Sequence, residues 1–405
     1  MTSMMRWARR LIPRAASPPK QFAYPRFHSI DVARKIEEEK FPFYEAAHYY
    51  PVRIGEVFNS KYQVIGKLGY GAYSTVWLCR DLPSCRYVAL KVYTGTKQSG
   101  TSQENREVEM YKYLSNLKTD HPGRAQVRTN MDSFEVTGPN NSHHHCLVHR
   151  PMSMSIGDLQ PLCPAGRFSE YLLKYFLMHI LWALDFLHTG ANVIHTDIKA
   201  TNLLLEINDE SILEDFEKAE LEDPSPRKVD GDRIIYESRA FRLTDMLGRP
   251  VLCDLGEARM GAEHHDDIQP FMYRAPEVLL QMPWGNKIWD LFEGKHMFEA
   301  LDTEKKPSNP HHLAEMIALL GPPPPEFILR APQNSYGRLF DDEGNWNQPL
   351  PIPTNTLESS EENLEGQDKA LFLNFMRKML CWVPEERKTA MDLLEDPWLK
   401  KGLVE

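Results

Sequence analysis

The 405-residue chain lacks any apolar run close to the roughly 18 residues that a membrane-spanning helix needs, which argues against an integral membrane protein. Its six cysteines (Cys79, Cys85, Cys146, Cys163, Cys253, Cys381) are scattered with no CxxC pair, so they read as free thiols in a reducing compartment. Positive charge is in deficit, with 47 Lys and Arg against 57 Asp and Glu. The net charge of -10 argues against a general nucleic-acid binder and leans toward basic partners. There is no internal repeat. What remains is an ordinary globular composition, 42% hydrophobic and 26% charged, long enough for two domains or two large lobes.

The N-terminus departs from that average. Arg6, Arg9, Arg10, Arg14, Lys20 and Arg26 precede the first acid, Asp31. This is the composition of a mitochondrial presequence, and equally that of a disordered basic tail, since Pro13, Pro18, Pro19 and Pro25 break any long helix. Residues 1–40 are therefore set apart from a domain spanning 41–400.

From Tyr62, "YQVIGKLG", "STVWLCRD" and "YVALKVYT" are strand-like runs divided by turns. "ENREVEMYKYLSNL" has helical spacing, and "DSFEVTG" and "HHCLVHRP" supply two further strands. Beyond Pro151 the pattern turns helical, with Leu173, Leu177, Ile180, Leu184 and Leu187 on one face and Gly190 as a C-cap. The expected architecture is α+β and bilobal, a β-rich lobe over 62–150 and a helical lobe over 151–400. Residues 206–223 hold nine acids against one Lys218, and the Pro- and Glu-rich stretch 322–366 begins "PPPP". Both read as solvated loops, with docking surfaces as the alternative.

Within "KLGYGAYSTVWL", Gly69 and Gly71 lie between two strands, where the missing Cβ lets backbone N–H groups approach phosphate. Alone this is a hairpin turn. "VALK" then places Lys91 on a strand where its ammonium meets α- and β-phosphates, and "REVEMYKYL" offers Glu107 as its ion-pair partner. In "VIHTDIKATNLLL", Asp197 is placed to accept the proton of an attacking hydroxyl, Lys199 to neutralise a transferring phosphoryl group, and Asn202 to hold a metal ion. "VLCDLGEAR" puts Asp254 after an apolar strand, where a carboxylate binds Mg²⁺ bridging the phosphates, and "YRAPEVLL" follows. The order and spacing of the whole set make it specific.

With these motifs the chain resembles the eukaryotic protein kinases over residues 62–400, and more narrowly the SR-protein kinases, which phosphorylate arginine–serine repeats. The narrower likeness rests on "YYPVRIGEVFNSKYQVIGKLGYGAYSTVWL", "DIQPFMYRAPEVLL", "HHLAEMIALLG" and "CWVPEERKTAMDLLEDPWL". A short spacer-like insert over roughly 206–248 is a further similarity. The resemblance implies an ATP- and Mg²⁺-dependent serine/threonine kinase with Arg-Ser-rich protein substrates, monomeric, found in cytoplasm and nucleus and acting in mRNA splicing regulation. It implies no direct contact with nucleic acid. Leu68, Val76, Ala89 and the backbone of Met152 join Gly69, Gly71, Lys91 and Glu107 in the implied nucleotide set. His149 takes the gatekeeper position, and Glu277 pairs with Arg387. Mitochondrial residence, from the basic N-terminus, is the alternative location.

Three departures qualify the resemblance. The family's His-Arg-Asp reads His195-Thr196-Asp197, and Leu255 replaces the usual Phe. Between Asp254 and Glu277 there is no serine or threonine, and Tyr273 is the sole hydroxyl, so the segment is expected to work without phosphorylation. After "APEVLLQMPW" the chain runs from "PWGNK" straight to "IWDLFEG". Against the family pattern about nine residues are absent, roughly two and a half helical turns. The loss opens a pseudokinase or weakly active scaffold as the alternative reading; a small-molecule kinase is disfavoured by the intact "APE" and "PWL" segments. His143, His144, His145 and His149 read as a solvated turn and strand entry rather than as metal ligands, His264 and His265 as surface, and Cys253 as a small buried residue.

Overall fold

The computed structural model describes residues 17–22, 27–95, 102–244, 246–261, 264, 274–280, 282, 297–332, 339–341 and 343–402. The chain forms two compact units, one within Met1–Ser115, Thr129–Met154 and Leu205–Gly248, the other within Asn116–Arg128, Ser155–Leu204 and Arg249–Glu405. Tyr273, His265 and the Gly285–Gly294 junction lie outside the described residues.

The first unit is built on six antiparallel strands in the order β1-β2-β3-β4-β6-β5. These are β1 (Val57–Phe58), β2 (Tyr62–Gly71), β3 (Ser74–Asp81), β4 (Arg86–Tyr93), β5 (Asn130–Thr137) and β6 (His143–His149). Period-two alternation sorts their side chains onto two faces. Val64, Trp77, Cys79, Val88, Leu90, Val92, Cys146 and Val148 share one core with Val52 and Tyr236. Ile65 and Leu78, one residue out of phase, share another with Ile212, Leu213 and Phe216.

That second core corrects the expectation for the acidic insert. Residues Ser211–Glu222 form a helix, and Arg227–Asp230 pairs with Arg233–Tyr236 as a hairpin whose turn Gly231 takes a left-handed φ of 57°. The acids masked a three- and four-residue spacing of Ile212, Leu213 and Phe216, all buried. Two of the acids are internal. Glu217 accepts hydrogen bonds from Tyr87 (2.7 Å) and Arg80 (3.2 Å) and meets Lys20 at 3.0 Å. Glu220, fully buried, accepts from Ser225 Oγ (2.6 Å) and Arg239 (3.1 Å).

The boundary expected at residue 40 also moves. Ile30 N donates to Arg227 O at 3.0 Å, Gln63 and Lys20 exchange bonds of 2.8 and 2.7 Å, and Ile30, Ile36 and Ile235 pack together. Residues 27–40 are part of the first unit because their apolar residues are used in its core.

The second unit is organised by the helix Glu170–Asp185, capped by Ser169 Oγ, which accepts Leu172 N–H at 3.3 Å. Its Leu177 and Leu181 pack with Phe372, Phe375, Leu394 and Trp398. A neighbouring core gathers around the helix Asn309–Leu320, with Leu313, Phe327 and Trp382. Glu277 and Arg387 form a buried bidentate pair, both contacts 2.7 Å, which is the pairing expected of them. Beside these cores lies a cavity of about 1200 Å³, lined by Leu173, Phe176, Ile180, Met316, Phe372 and Trp398 among others.

Candidate active site

Each unit carries its own part of the expected site. In the first, β2 and β3 meet at the glycine-rich turn. Neither Gly69 nor Gly71 has a left-handed φ, and the fold does not fill the space over them. A Cβ at Gly69 would meet nothing within 4 Å, and one at Gly71 would meet Ser74 Oγ at 3.7 Å. Neither backbone strain nor internal packing calls for glycine here, so the requirement points to something that approaches from outside. Open space where a Cβ would stand leaves room for a phosphate to approach the backbone.

Register then places the neighbours. Val76 lies opposite Gly69 on β2 and Lys91 on β4, and Ala89, fully buried, lies between Leu78 and His149. Lys91 Nζ is 2.7 Å from Glu107 Oε2, on the helix Ser102–Asn116, and 4.8 Å from the Tyr93 ring centroid. Tyr93 Oη donates to the same carboxylate. Tyr93 is thus a third member of the ion pair that sequence reasoning missed, although its offset of two residues from Lys91 puts both on one face of a strand. His149 is buried, with Nδ1 2.9 Å from Thr129 O, and Met152, nearly buried, opens the short strand that follows. Leu68 is the outlier. It falls in a β-bulge, and its half-buried side chain packs against the Ile65–Phe216 cluster.

In the second unit the strand Val193–Ile194 delivers the catalytic-loop motif. Asp197 Oδ2 accepts Lys199 Nζ at 2.7 Å and Asn202 Nδ2 at 2.9 Å, and Asn202 Nδ2 also donates to Asp197 O at 2.8 Å. Asn202 O accepts Cys253 N–H at 2.8 Å, which ties the segment carrying Asp254 to this loop. Asp254 itself takes a left-handed φ of 66°, a strained setting that is common where function dictates a side chain's direction.

His195 is fully buried, its Nε2 3.0 Å from Cys253 O, and burial pushes its imidazole below the ordinary range, so it is a neutral strut. Thr196, where the family has Arg, has a φ of 68° and donates from Oγ1 to Glu257 O at 2.6 Å. Arg259–Met260 pairs antiparallel with Val193–Ile194, and Gly261 N donates to Asn192 O at 3.0 Å. These bonds fasten the start of the segment after Asp254 to the catalytic loop. The role of Thr196 was not legible in the sequence, where it registers as a lost arginine.

The remaining suspects fall into place as structure. His144 is buried, bonded to Tyr93 O (2.9 Å) and Ser142 Oγ (2.8 Å), not solvated as a turn; His143 meets Glu135 at 2.7 Å. Among the described residues no group of three His, Cys, Asp or Glu is arranged to hold a metal by itself. Asp254 and Asn202 would instead supply one carboxylate and one amide oxygen, hard donors of the kind that Mg²⁺ completes with phosphate oxygens and water. The open space over Gly69 and Gly71 and the Lys91–Glu107 pair fit a nucleotide triphosphate in the same sense.

Comparison with known proteins agrees with this chemistry. The protein kinase domain family profile matches residues 62–233. Two serine/threonine protein kinases from strains of Aspergillus fumigatus are 45% identical over 402 residues, covering 96% of this chain and 97% of theirs. The chain belongs to the serine/threonine protein kinases. The serine/threonine-protein kinase SRPK of Physarum polycephalum is 31% identical, with 90% of this chain and 91% of that one aligned. SRSF protein kinase 3 of Mus musculus is 25% identical, with 90% of each chain aligned. The crystal structure of a kinase domain matches in fold with a TM-score of 0.64 at 21% identity, over 88% of this kinase and all of that chain. No described helix is long and apolar enough to cross a membrane.

Proposed function

We propose that this kinase transfers the γ-phosphate of ATP to serine in Arg-Ser-rich proteins, with Asp197 as the residue that orients the substrate hydroxyl and takes its proton. The observation that carries the assignment is the hydrogen-bonded set Asp197, Lys199 and Asn202 on one loop. Lys199 would offset charge on the transferring group, and Lys91, held by Glu107 and Tyr93, would offer its ammonium to phosphate oxygens. Asn202 and Asp254 are the residues that would hold Mg²⁺, which when bound supplies charge neutralisation on the phosphates. Gly69, Gly71, Val76, Ala89 and Met152 would line the nucleotide.

The preference for Arg-Ser substrates is supported by likeness to the SRPK and SRSF kinases and by the net charge of -10. The acidic insert supports it less than its composition suggests. Glu217 and Glu220 are internal, and Asp209 and Asp215 are bonded to Arg242 at 3.1 and 2.6 Å. With Thr196 fastening the segment after Asp254, the kinase needs no activating phosphate. Residence in cytoplasm and nucleus follows the same likeness. The deciding experiment is incorporation of labelled phosphate from ATP into an Arg-Ser repeat peptide and a neutral Ser peptide. Equal, robust labelling of both would remove the substrate preference, and labelling of neither would remove the activity.

A second reading, a weakly active scaffold, is favoured by the cavity of about 1200 Å³ in the second unit. Its lining includes the helix face that the absent segment would have covered. The 402-position alignment to the Aspergillus kinases spans 96% of these 405 residues, so those relatives have residues that this chain lacks.

A further inference from the structure

The glycine-rich turn is held from outside by a segment that no kinase motif includes. Residues 36–49 run over the first unit as two short 3-10 turns, Glu37–Lys40 and Ala46–His48. Tyr49, buried, donates its hydroxyl to Ala72 O at 2.8 Å, and so bonds the tip between Gly71 and Ser74. Burial pushes this phenol up to about 12, so it stays a donor at neutral pH. Phe43 stacks on Tyr73 (centroids 6.0 Å, 15°), Phe41 stacks on Phe43 (5.5 Å, 13°), and Phe41 meets Tyr70 edge-on at 5.9 Å. Tyr70 and Tyr73 are two of the three residues that stand between the glycines and Ser74 in "GYGAYS" and are themselves half exposed, so their rings serve the segment rather than a core.

The segment is anchored at both ends. Lys67, fully buried on β2, is ion-paired to Glu38 at 2.5 Å and to Glu37 at 3.4 Å, and lies 5.3 Å over the Tyr70 ring. From the inserted hairpin, Lys228 meets Glu39 at 2.7 Å, and Arg233 donates to the carbonyls of Ala46 and Tyr49. His48 O accepts Gly95 N–H at 2.7 Å, while Thr94 N donates to Tyr73 O at 2.9 Å. Insert, segment and turn form one run of contacts within a single unit.

We propose that residues 41–49 are a strap that positions the glycine-rich turn for nucleotide, with Tyr49 as its positioning residue and Arg233 of the insert as the anchor that keeps Tyr49 in place. The idea rests on the reading that this turn binds ATP. A turn of glycine amides gains phosphate affinity when it is already ordered, because less freedom is lost on binding. The strap supplies that order through bonds to the turn's carbonyls.

The test is steady-state kinetics of the full chain with Tyr49→Phe, Phe43→Ala and Arg233→Met, together with Gly71→Val as the control on the turn. Tyr49→Phe removes one hydroxyl and keeps the ring, so folding is preserved. KM for ATP should rise ~2–10-fold, the weight of one net hydrogen bond, while KM for the peptide stays unchanged and the melting temperature falls by no more than about 2–4 °C. Phe43→Ala, at a half-exposed position, and Arg233→Met should move KM for ATP in the same direction. If Gly71→Val weakens ATP but Tyr49→Phe and Phe43→Ala leave KM for ATP unchanged, the strap proposal is overturned while the turn's role stands. If Gly71→Val itself leaves ATP affinity unchanged, the reading of the turn fails first. Equal rises in both Michaelis constants with a larger fall in melting temperature would make the strap merely structural and overturn the proposal as well.

Discussion

Phe216→Ala should cost the kinase about 3–5 kcal/mol, the usual range for deleting a buried phenyl ring. Phe216 is 3% exposed and lies on the helix of the acidic insert, facing Ile65 and Leu78 of the sheet. It sits so close to β2 that a Cβ added at Gly66 would come within 2.8 Å of its Cε1, and its ring is 5.3 Å from that of Phe241. The strand backbone is fixed by its ladder, so the site has little room to collapse, which puts the expected cost in the upper part of the range. For a unit of this size ~1 kcal/mol moves the midpoint by about 2–4 °C, giving a fall of about 6–20 °C. Thermal melts followed by far-UV dichroism, with urea titration alongside, read this directly. Phe216→Leu should lose only about 1 kcal/mol, and Leu221→Ala, on the exposed side of the same helix, within about 0.5 kcal/mol. A loss under about 1 kcal/mol for Phe216→Ala would mean that the insert is the solvated loop its composition suggests, and the two-faced sheet described above would be wrong.

Asp197→Asn should lower phosphate transfer by about 10²–10⁴-fold with nucleotide affinity nearly intact, whereas Asp254→Asn should weaken Mg²⁺-nucleotide binding itself; wild-type turnover in both would sink the site assignment. Arg387→Ala strands the buried Glu277 carboxylate and should destabilise by about 3–5 kcal/mol, checked by urea titration, with Glu277→Gln in the same background restoring part of the loss. His312 is fully buried, and burial, with Arg274 contributing, pushes its imidazole down to about 3. Its folded value lies below its unfolded one, so its contribution is fully present above pH ~6.5 and is lost as pH falls toward 3, about 2 kcal/mol by pH 5. In His312→Leu that part of the acid slope should vanish from stability measured against pH.

The two lobes, the glycine turn, the Lys91–Glu107 pair and the catalytic loop were legible because each depends on local spacing or on an ordered set of motifs, whereas the Glu277–Arg387 pair, 110 residues apart, was implied by the family resemblance alone. The exceptions have a common cause. The insert hid its helix because the same 12 residues, Ser211–Glu222, carry both the acids and the apolar spacing, and charge count dominates a composition reading. Glu217 and Glu220 gave no sign that Arg80, Tyr87, Arg239 and Ser225 would take them inside, since those partners are remote in sequence or lie on other elements. The same holds for Tyr49, whose partner is a backbone carbonyl, a group that no sequence pattern displays. The missing arginine at Thr196 was legible, but not what Thr196 does instead, because its bond is again to a backbone carbonyl, that of Glu257.

The absent segment permits a decision between enzyme and scaffold. Losing it should strand apolar surface on the helix Glu170–Asp185, yet Phe176, Leu177, Ile180 and Leu181 are each no more than 6% exposed. The cost therefore shows as volume and as half-buried edges of the cavity of about 1200 Å³, at Leu173, Met297, Leu320, Met379 and Leu380. Covering each of these recovers about half of the 1.5–3 kcal/mol that full burial of a large side chain is worth. A family-like "VDIWNLGVM" placed between Lys287 and Ile288 has six apolar residues of its own, whose burial roughly offsets the ~1.5 kcal/mol per residue of ordering it. The recovered edges are then the net gain, a few kcal/mol and about 5–10 °C in the melting midpoint. Phosphate transfer to an Arg-Ser peptide should rise with it, because Ile198 and Lys199 line the same cavity and the catalytic loop would gain a packed floor. If the reinserted form melts no higher and transfers no faster, the cavity is not a defect, and the second reading falls with it.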